Sequence, residues 1–198
     1  MSQLLIKYAN FLKQKPLLAN SISSAFLFGT GDILAQCIFP KEGSRFDYRR
    51  TIRNAVYGGI IFSPLVTKWY VWLNTSVRYP FRTLFRRQPS STQRSILDTI
   101  CRTAADQLMW APMGIPLYFM SISFMEGKGW QDVKQKLDDK YEETLINNWK
   151  VWPVFQALNF YFVSPDYRLL TVNIVSILWN CYMSLENYKV TETLTFKE

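Results

Sequence analysis

Four stretches of the chain run almost without charge. Residues 17–39 carry one ionisable side chain, Asp32; 55–73 carry Lys68, 103–125 carry Asp106, and 169–185 carry none. Each is close to the roughly 20 residues a helix needs to cross a hydrocarbon core of about 30 Å. The segments between them are charged: "PKEGSRFDYRR" follows the first, Arg78, Arg82, Arg86, Arg87 and Arg94 follow the second, and "EGKGWQDVKQKLDDKYEE" follows the third. No alternating run bounded by hairpin turns competes. The pattern predicts an all-α fold, a single membrane domain over 1–198 with four transmembrane helices. A soluble all-α bundle is the alternative.

Amphipathic stretches flank the spans. Over 1–16, Leu4, Leu5, Tyr8, Phe11 and Leu12 share one helical face, with Lys7, Lys13 and Lys15 beside it and no acid before Asp32. This acid-poor start suits a mitochondrial targeting segment, or a helix lying on a bilayer. Over 130–145, Trp130, Val133, Leu137, Tyr141 and Leu145 recur at helical spacing, which predicts a second surface helix. The uncharged run that follows is short, and Pro153 removes a donor within it, so 147–163 reads as a broken or re-entrant segment.

Polar groups recur inside the spans. Asp32 and Gln36 share a face of the first with Ala25 and Gly29; Asp106 and Gln107 open the third. Asn173, Ser176, Asn180 and Ser184 form a stripe on the last, and Gln156 and Asn159 continue the face of Trp149 and Trp152. An ionisable residue in a membrane costs on the order of 2.5–3.5 kcal/mol on insertion scales, so it faces a partner or water. One reading is a shared hydrophilic path lined by Asp32, Gln36, Asp106, Gln107, Gln156, Asn159, Asn173 and Asn180. The other is glue between helices, with Arg53, Arg102 or Arg168 neutralising the aspartates; Arg102 and Asp106 stand at i, i+4.

Composition narrows the chemistry. The 198 residues include no histidine, which removes the commonest metal ligand, the commonest general base and every Ser-His or Cys-His pair. Cys37, Cys101 and Cys181 are widely spaced and suggest neither a disulfide framework nor a zinc site; a redox-sensitive pairing of Cys101 with Cys181 is a further expectation. The glycines form no phosphate-binding loop. We therefore expect no catalytic residue, no metal and no cofactor. The net charge of +8 favours anionic partners, but the arginines after the second span read as membrane-flanking anchors rather than a nucleic-acid surface. Mean hydropathy is −0.06, because long polar connections dilute the apolar spans.

The stretch "NW-x-x-WP-x-x-Q-x-x-NF", set by Asn148, Trp149, Trp152, Pro153, Gln156, Asn159 and Phe160, resembles the hallmark of the Mpv-seventeen / peroxisomal-membrane-protein family. Gly31-Asp32 with Ala35-Gln36, Pro64 with Trp69-Tyr70, Asp106-Gln107 with Pro112, Arg168, and "WNCYMS" from Trp179 extend the resemblance over nearly the whole chain, which is most similar to the fungal mitochondrial branch. Thr67 stands where the family commonly has a histidine, and Val163-Ser164-Pro165 replaces its Val-Pro. The resemblance implies a multi-pass protein of the mitochondrial inner membrane. It implies a pore or transporter for small solutes, anionic metabolites among them, linked to stress, metabolic homeostasis and mitochondrial DNA maintenance. A non-transporting structural protein, as a homo-oligomer or within a larger membrane complex, is the alternative. The lipid bilayer is the partner in either case.

Overall fold

A computed structural model describes residues 3–40, 45–80 and 90–195, and every regular element among them is helical. Arg82, Arg86 and Arg87 lie outside the described residues. Helix α1 covers Gln3–Gln14 and α2 covers Pro16–Ile38. Helix α3 (Tyr48–Val56) passes through a π-helical turn, Tyr57–Phe62, into α4 (Ser63–Ser76). Helix α5 (Ser91–Ala105) passes through a second, Asp106–Trp110, into α6 (Ala111–Met125). Helix α7 covers Trp130–Phe162, and a 3-10 turn at Pro165–Tyr167 leads into α8, Arg168–Thr195.

Both π turns sit just before a proline, Pro64 and Pro112. A proline lacks the N–H that the carbonyl four residues earlier would accept, and its ring crowds that carbonyl. A wider turn relieves both problems without ending the helix.

Local chemistry sets the ends of the elements. Asp47 caps α3 by accepting from the Arg50 amide at 3.0 Å. Ser90 and Gln93 form a reciprocal capping box on α5. Gly127, at φ +77°, takes the left-handed conformation that ends α6 and turns the chain back into α7.

The helices assemble as five long rods in up-down order: α2, then 48–76, then Ser91–Met125, then α7, then α8. Contacts fix their directions. Lys136 on α7 pairs with Glu126, whereas Gln156 reaches Asp106, so α7 retraces the third rod antiparallel over about 30 Å at 1.5 Å per residue. Asn173 near the start of α8 bonds Ser24, and Ser184 near its apolar end bonds Asp32, so α8 runs parallel to α2.

This corrects the expected layout. The sequence reading has four crossings, with a surface helix at 130–145 and a broken segment at 147–163. The structure instead makes 130–162 one helix, with Pro153 inside it. Losing one backbone bond at a proline costs about 3 kcal/mol, which packing along the whole third rod outweighs. Of that expected surface face, Val133 is fully buried, while Trp130 is exposed and stacks on Phe124. Among the described residues, three helical stretches are long and apolar enough to cross a membrane, namely Pro16–Ile38, Ser91–Met125 and Pro165–Glu186. The expected second span, 55–73, is helical, but Gly58, Gly59, Ser63, Pro64 and Lys68 dilute its apolar character.

The bundle is inverted relative to a water-soluble one. Asp32, Asp106, Gln156, Asn159 and Asn173 are buried, while Phe26, Ile60, Leu108, Val154 and Leu178, one on each rod, are 68–76% exposed. Apolar surface on this scale is a liability in water and the natural dress of a protein in lipid. Two apolar clusters fill the interior. One gathers Phe28, Tyr57, Tyr118 and Phe119, and the other Val66, Leu73, Trp152 and Phe160.

Candidate functional site: two buried polar clusters

The predicted polar residues do not form one path. They separate into an ionic layer at one end of the rods and a cavity nearer the other.

The ionic layer draws on all five rods. Asp32 is fully buried and takes Arg50 Nε at 2.7 Å on one oxygen, which also accepts from the Ser184 hydroxyl. Its other oxygen accepts from Thr51 at 2.7 Å and Gln36 at 2.8 Å. Gln36 also ties α2 to the start of α3 through both backbone atoms of Asp47. Beside it, Glu126 meets Arg53 at 3.6 Å, Lys128 at 3.6 Å and Lys136 at 3.7 Å, and Lys140 reaches Glu186 at 2.9 Å. Burial pushes the Lys136 ammonium down to about 8, with Glu126 pulling the other way.

Arg50 is the counter-ion of Asp32, in place of the expected Arg53, Arg102 or Arg168. Arg53 instead joins Asp47 to Glu126. Arg102 donates to the Val77 carbonyl and makes no ion pair with Asp106 among the described residues. Arg168 clamps the end of α7, donating to the carbonyls of Val163 and Phe160 at 3.0 Å each, and lies over the Phe160 ring. Those are carbonyls that a helix end leaves without partners.

The second cluster forms where α7 meets the π turn of the third rod. In that wider turn two consecutive side chains, Asp106 and Gln107, both turn inward and are buried. The "NW-x-x-WP-x-x-Q-x-x-NF" face of α7 reads them. Asn148 donates to the Gln107 side-chain oxygen at 3.2 Å, Trp149 to the Gln107 backbone oxygen at 3.1 Å, and Gln156 to Asp106 at 2.8 Å. Trp69 Nε1 and Gln107 Nε2 add bonds of 2.9 Å each to the Asp106 carboxylate. Gln156 also donates to Tyr70, and Asn159 holds Gln156 in place at 3.2 Å. The mixture of tryptophans with amides along one face thus has a cause: the amides meet a polar turn, and the rings seal it from lipid.

Against this cluster lies a cavity of about 90 Å³, room for roughly three waters at ~30 Å³ each. Of the eight expected lining residues, Asp106, Gln107, Gln156 and Asn180 line it. Asp32 and Gln36 belong to the ionic layer, Asn173 bonds Ser24 at 2.8 Å as a link between helices, and Asn159 stands behind Gln156. The structural residues Trp152 and Trp179 are on the wall and meet edge to face at 6.0 Å. Tyr70, Asn148 and Ser176 are there too. Their long-range partners were not legible from spacing, although Tyr70 and Asn148 stand in motifs the sequence displays. Cys37, Cys101 and Cys181 are all free thiols, so the expected Cys101–Cys181 pairing is not formed. Among the described residues no group of three or more Cys, Asp or Glu converges as for a metal ion.

Comparison with known proteins places this architecture. The model of the Mpv17 / PMP22 family matches residues 123–184, from the end of α6 through α7 and most of α8. Protein SYM1 of Saccharomyces cerevisiae is 42% identical over 192 residues, covering 96% of this chain and 93% of that protein. Protein SYM1 of Eremothecium gossypii is 42% identical over 187 residues, with 94% and 97% covered. Protein sym-1 of Neurospora crassa is 40% identical over 181 residues, with 91% and 96% covered. No solved structure matches the chain. With relatives this similar along nearly its whole length, and the family motif lying against the buried Asp106-Gln107 turn, the chain is a membrane protein that belongs to the Mpv17 / PMP22 family.

Proposed function

We propose that this protein is a channel-like or transport protein for small solutes in the mitochondrial inner membrane, with the Asp106 cavity as its permeation site, and that it serves metabolic and stress homeostasis. On this reading it acts without catalysis; the chain has no histidine to serve as a general base. The observation that carries the reading is a cavity between apolar-faced rods whose largely aromatic and apolar wall carries a polar patch of Asp106, Gln107, Gln156 and Asn180. Polar residues inside a membrane bundle mark solute paths. The acid-poor amphipathic helix α1 supports the mitochondrial address.

The insertion that goes with this reading has five crossings rather than four. Helix α7 is exposed along an apolar face comprising Val151, Val154, Leu158 and Phe162, and it retraces the third rod, so we assign residues 141–162 to the bilayer. The second rod shows lipid-type exposure at Ile52, Ile60 and Val71.

Solute flux through purified protein in sealed liposomes tests the function. A size cut-off shifted by Asp106→Asn is the expected result. Tight liposomes holding folded protein would favour a non-transporting, structural role. The ionic layer linking one end of all five rods is the observation that favours that second reading, which also predicts a stable partner on mild-detergent purification.

A further inference from the structure

Two arginines meet at the end of the bundle away from the ionic layer. Helix α4 stops at Ser76, α7 stops at Phe162 and α8 starts at Arg168, so this level is an edge of the bundle. Arg102 Nε donates to the Val77 carbonyl at 3.3 Å, and Arg168 Nη1 reaches the Asn74 side-chain oxygen at 3.5 Å. Both guanidinium groups therefore lie against the last turn of α4, and they are close enough for their charges to repel.

Neither arginine pairs with an acid among the described residues. Asp98, one turn before Arg102, accepts the Tyr79 amide at 2.8 Å, and Asp166 is exposed. Residues 77–97 carry five arginines and no acid, so the linker after α4 adds charge of the same sign. The carbonyl ends of α4 and α7 offer roughly half a negative charge each, against two full positive charges. The shortfall is costly because Arg168 is buried, and an anion at this place relieves it. The two arginines differ in what they have left to give. Arg168 spends all three nitrogens on Val163, Phe160 and Asn74. Arg102 spends one N–H of five and is partly exposed, so both its terminal nitrogens stay available. That planar edge matches two oxygens of a phosphate side by side.

We infer that this edge of the bundle is a site for the phosphate of an anionic phospholipid, with Arg102 contacting the phosphate and Arg168 as a second positive charge behind it. A soluble phosphate compound offers the same chemistry, and the level of the site favours the headgroup. Trp72 and Tyr161, each 40% exposed, lie within about one turn of the ends of α4 and α7, and such amphipathic rings settle at the headgroup level. Basic pockets between membrane helices at that level hold lipid phosphates. The assignment depends on the protein being in a bilayer and not on whether it transports anything.

The test is native mass spectrometry of the full-length protein in detergent, titrated with phosphatidylglycerol, phosphatidylcholine or inorganic phosphate. Phosphatidylglycerol should be retained about tenfold more firmly than phosphatidylcholine, whose choline cancels the phosphate charge. Arg102→Gln should remove that preference, a loss of about tenfold. Arg102→Lys keeps the charge without the fork and should lose part of it, so it decides the matter where Arg102→Gln misfolds. Arg168 is left intact because it also clamps the end of α7. Arg78→Gln, at an exposed arginine of the same linker, should change retention by no more than about twofold. Retention that survives both Arg102 substitutions overturns the assignment. So does an equal loss in Arg78→Gln, which is what diffuse attraction to a basic surface gives. Inorganic phosphate protecting the protein as well as phosphatidylglycerol, with Arg102→Gln abolishing both effects, overturns the headgroup as the source and gives the site to soluble phosphate compounds.

Discussion

Asp32 and Asp106 are both buried carboxylates in helices that face lipid, yet their surroundings are opposite. Asp32 has a guanidinium at 2.7 Å and hydrogen bonds from Ser184, Thr51 and Gln36, so charge and lone pairs are both satisfied. Asp106 has three neutral N–H donors, no cationic partner among the described residues and a cavity beside it. The difference teaches that a buried acid is not by itself a functional signal. What it lacks, rather than what it is, decides whether it holds the fold together or waits for something to bind.

The largest effect should come from unpairing the satisfied acid. Asp32→Asn takes from the buried Arg50 the carboxylate that holds its Nε at 2.7 Å, and breaking a buried pair costs about 3–5 kcal/mol. Thermal unfolding in detergent should show a large drop in Tm, partly restored when Arg50→Met is added. Asp106→Asn should cost far less, because it keeps an oxygen acceptor and no cation is stranded. If the two substitutions destabilise equally, the contrast between the clusters collapses.

Next in size is Gly31→Ala. A Cβ there would sit 2.6 Å from that of Asn180 and 3.1 Å from the Ile177 carbonyl, so α2 and α8 must separate. Because Ser184 and Asp32 lie on the same two helices, the ionic layer should loosen with them. We expect a loss of about 1–3 kcal/mol, as for overpacked cores, checked by the same unfolding assay.

A smaller effect is expected at Lys136, and it has a pH signature. Its ammonium titrates near 8 in the fold against 10.5 in the free side chain. The unfolded chain therefore binds the proton more readily between those values, and this residue's contribution to stability rises with pH from about 8 to 10.5. Lys136→Met removes that contribution. The mutant should gain Tm over the wild type near pH 7, and the gain should shrink as pH rises above 8. A difference that stays constant across the window would contradict the assignment.

The smallest perturbation addresses topology. In a background with Cys37, Cys101 and Cys181 replaced by alanine, Lys134→Cys near the start of α7 and Asp166→Cys in the turn just past its end place single exposed thiols on either side of it. A membrane-impermeant maleimide should reach only one of them from a given side. Labelling of both from the same side would restore four crossings and return α7 to the membrane surface.

Much of this was legible in the sequence, and the failures share a cause. The first span, read as 17–39, is Pro16–Ile38 in the structure, because unbroken apolar runs bounded by charge announce themselves locally. Asp106, Gln107 and Gln156 were recognisable as polar groups out of place. Arg50 was not separable from Arg49 and Arg53, since all lie on one short helix and only the aim set by the Asp47 cap selects it. Helix α7 was divided in the reading because Pro153 and the change from charged to uncharged residues look like a boundary. Its continuity comes from contacts with residues far away in sequence, such as Glu126, Gln107 and Asp106, which no local pattern displays.

The up-down order of the rods has a consequence for mechanism. Many carriers are built from two inverted halves that exchange conformations, so that a central site opens first to one side and then to the other. Five rods do not divide into two equal halves, and α2 and α8, the first and last, run parallel and in close contact through Gly31. Among the described residues there is no pair of interchangeable halves to rock against each other. On the transport reading proposed above, a solute would be admitted by local rearrangement around Asp106, with the ionic layer as the fixed frame.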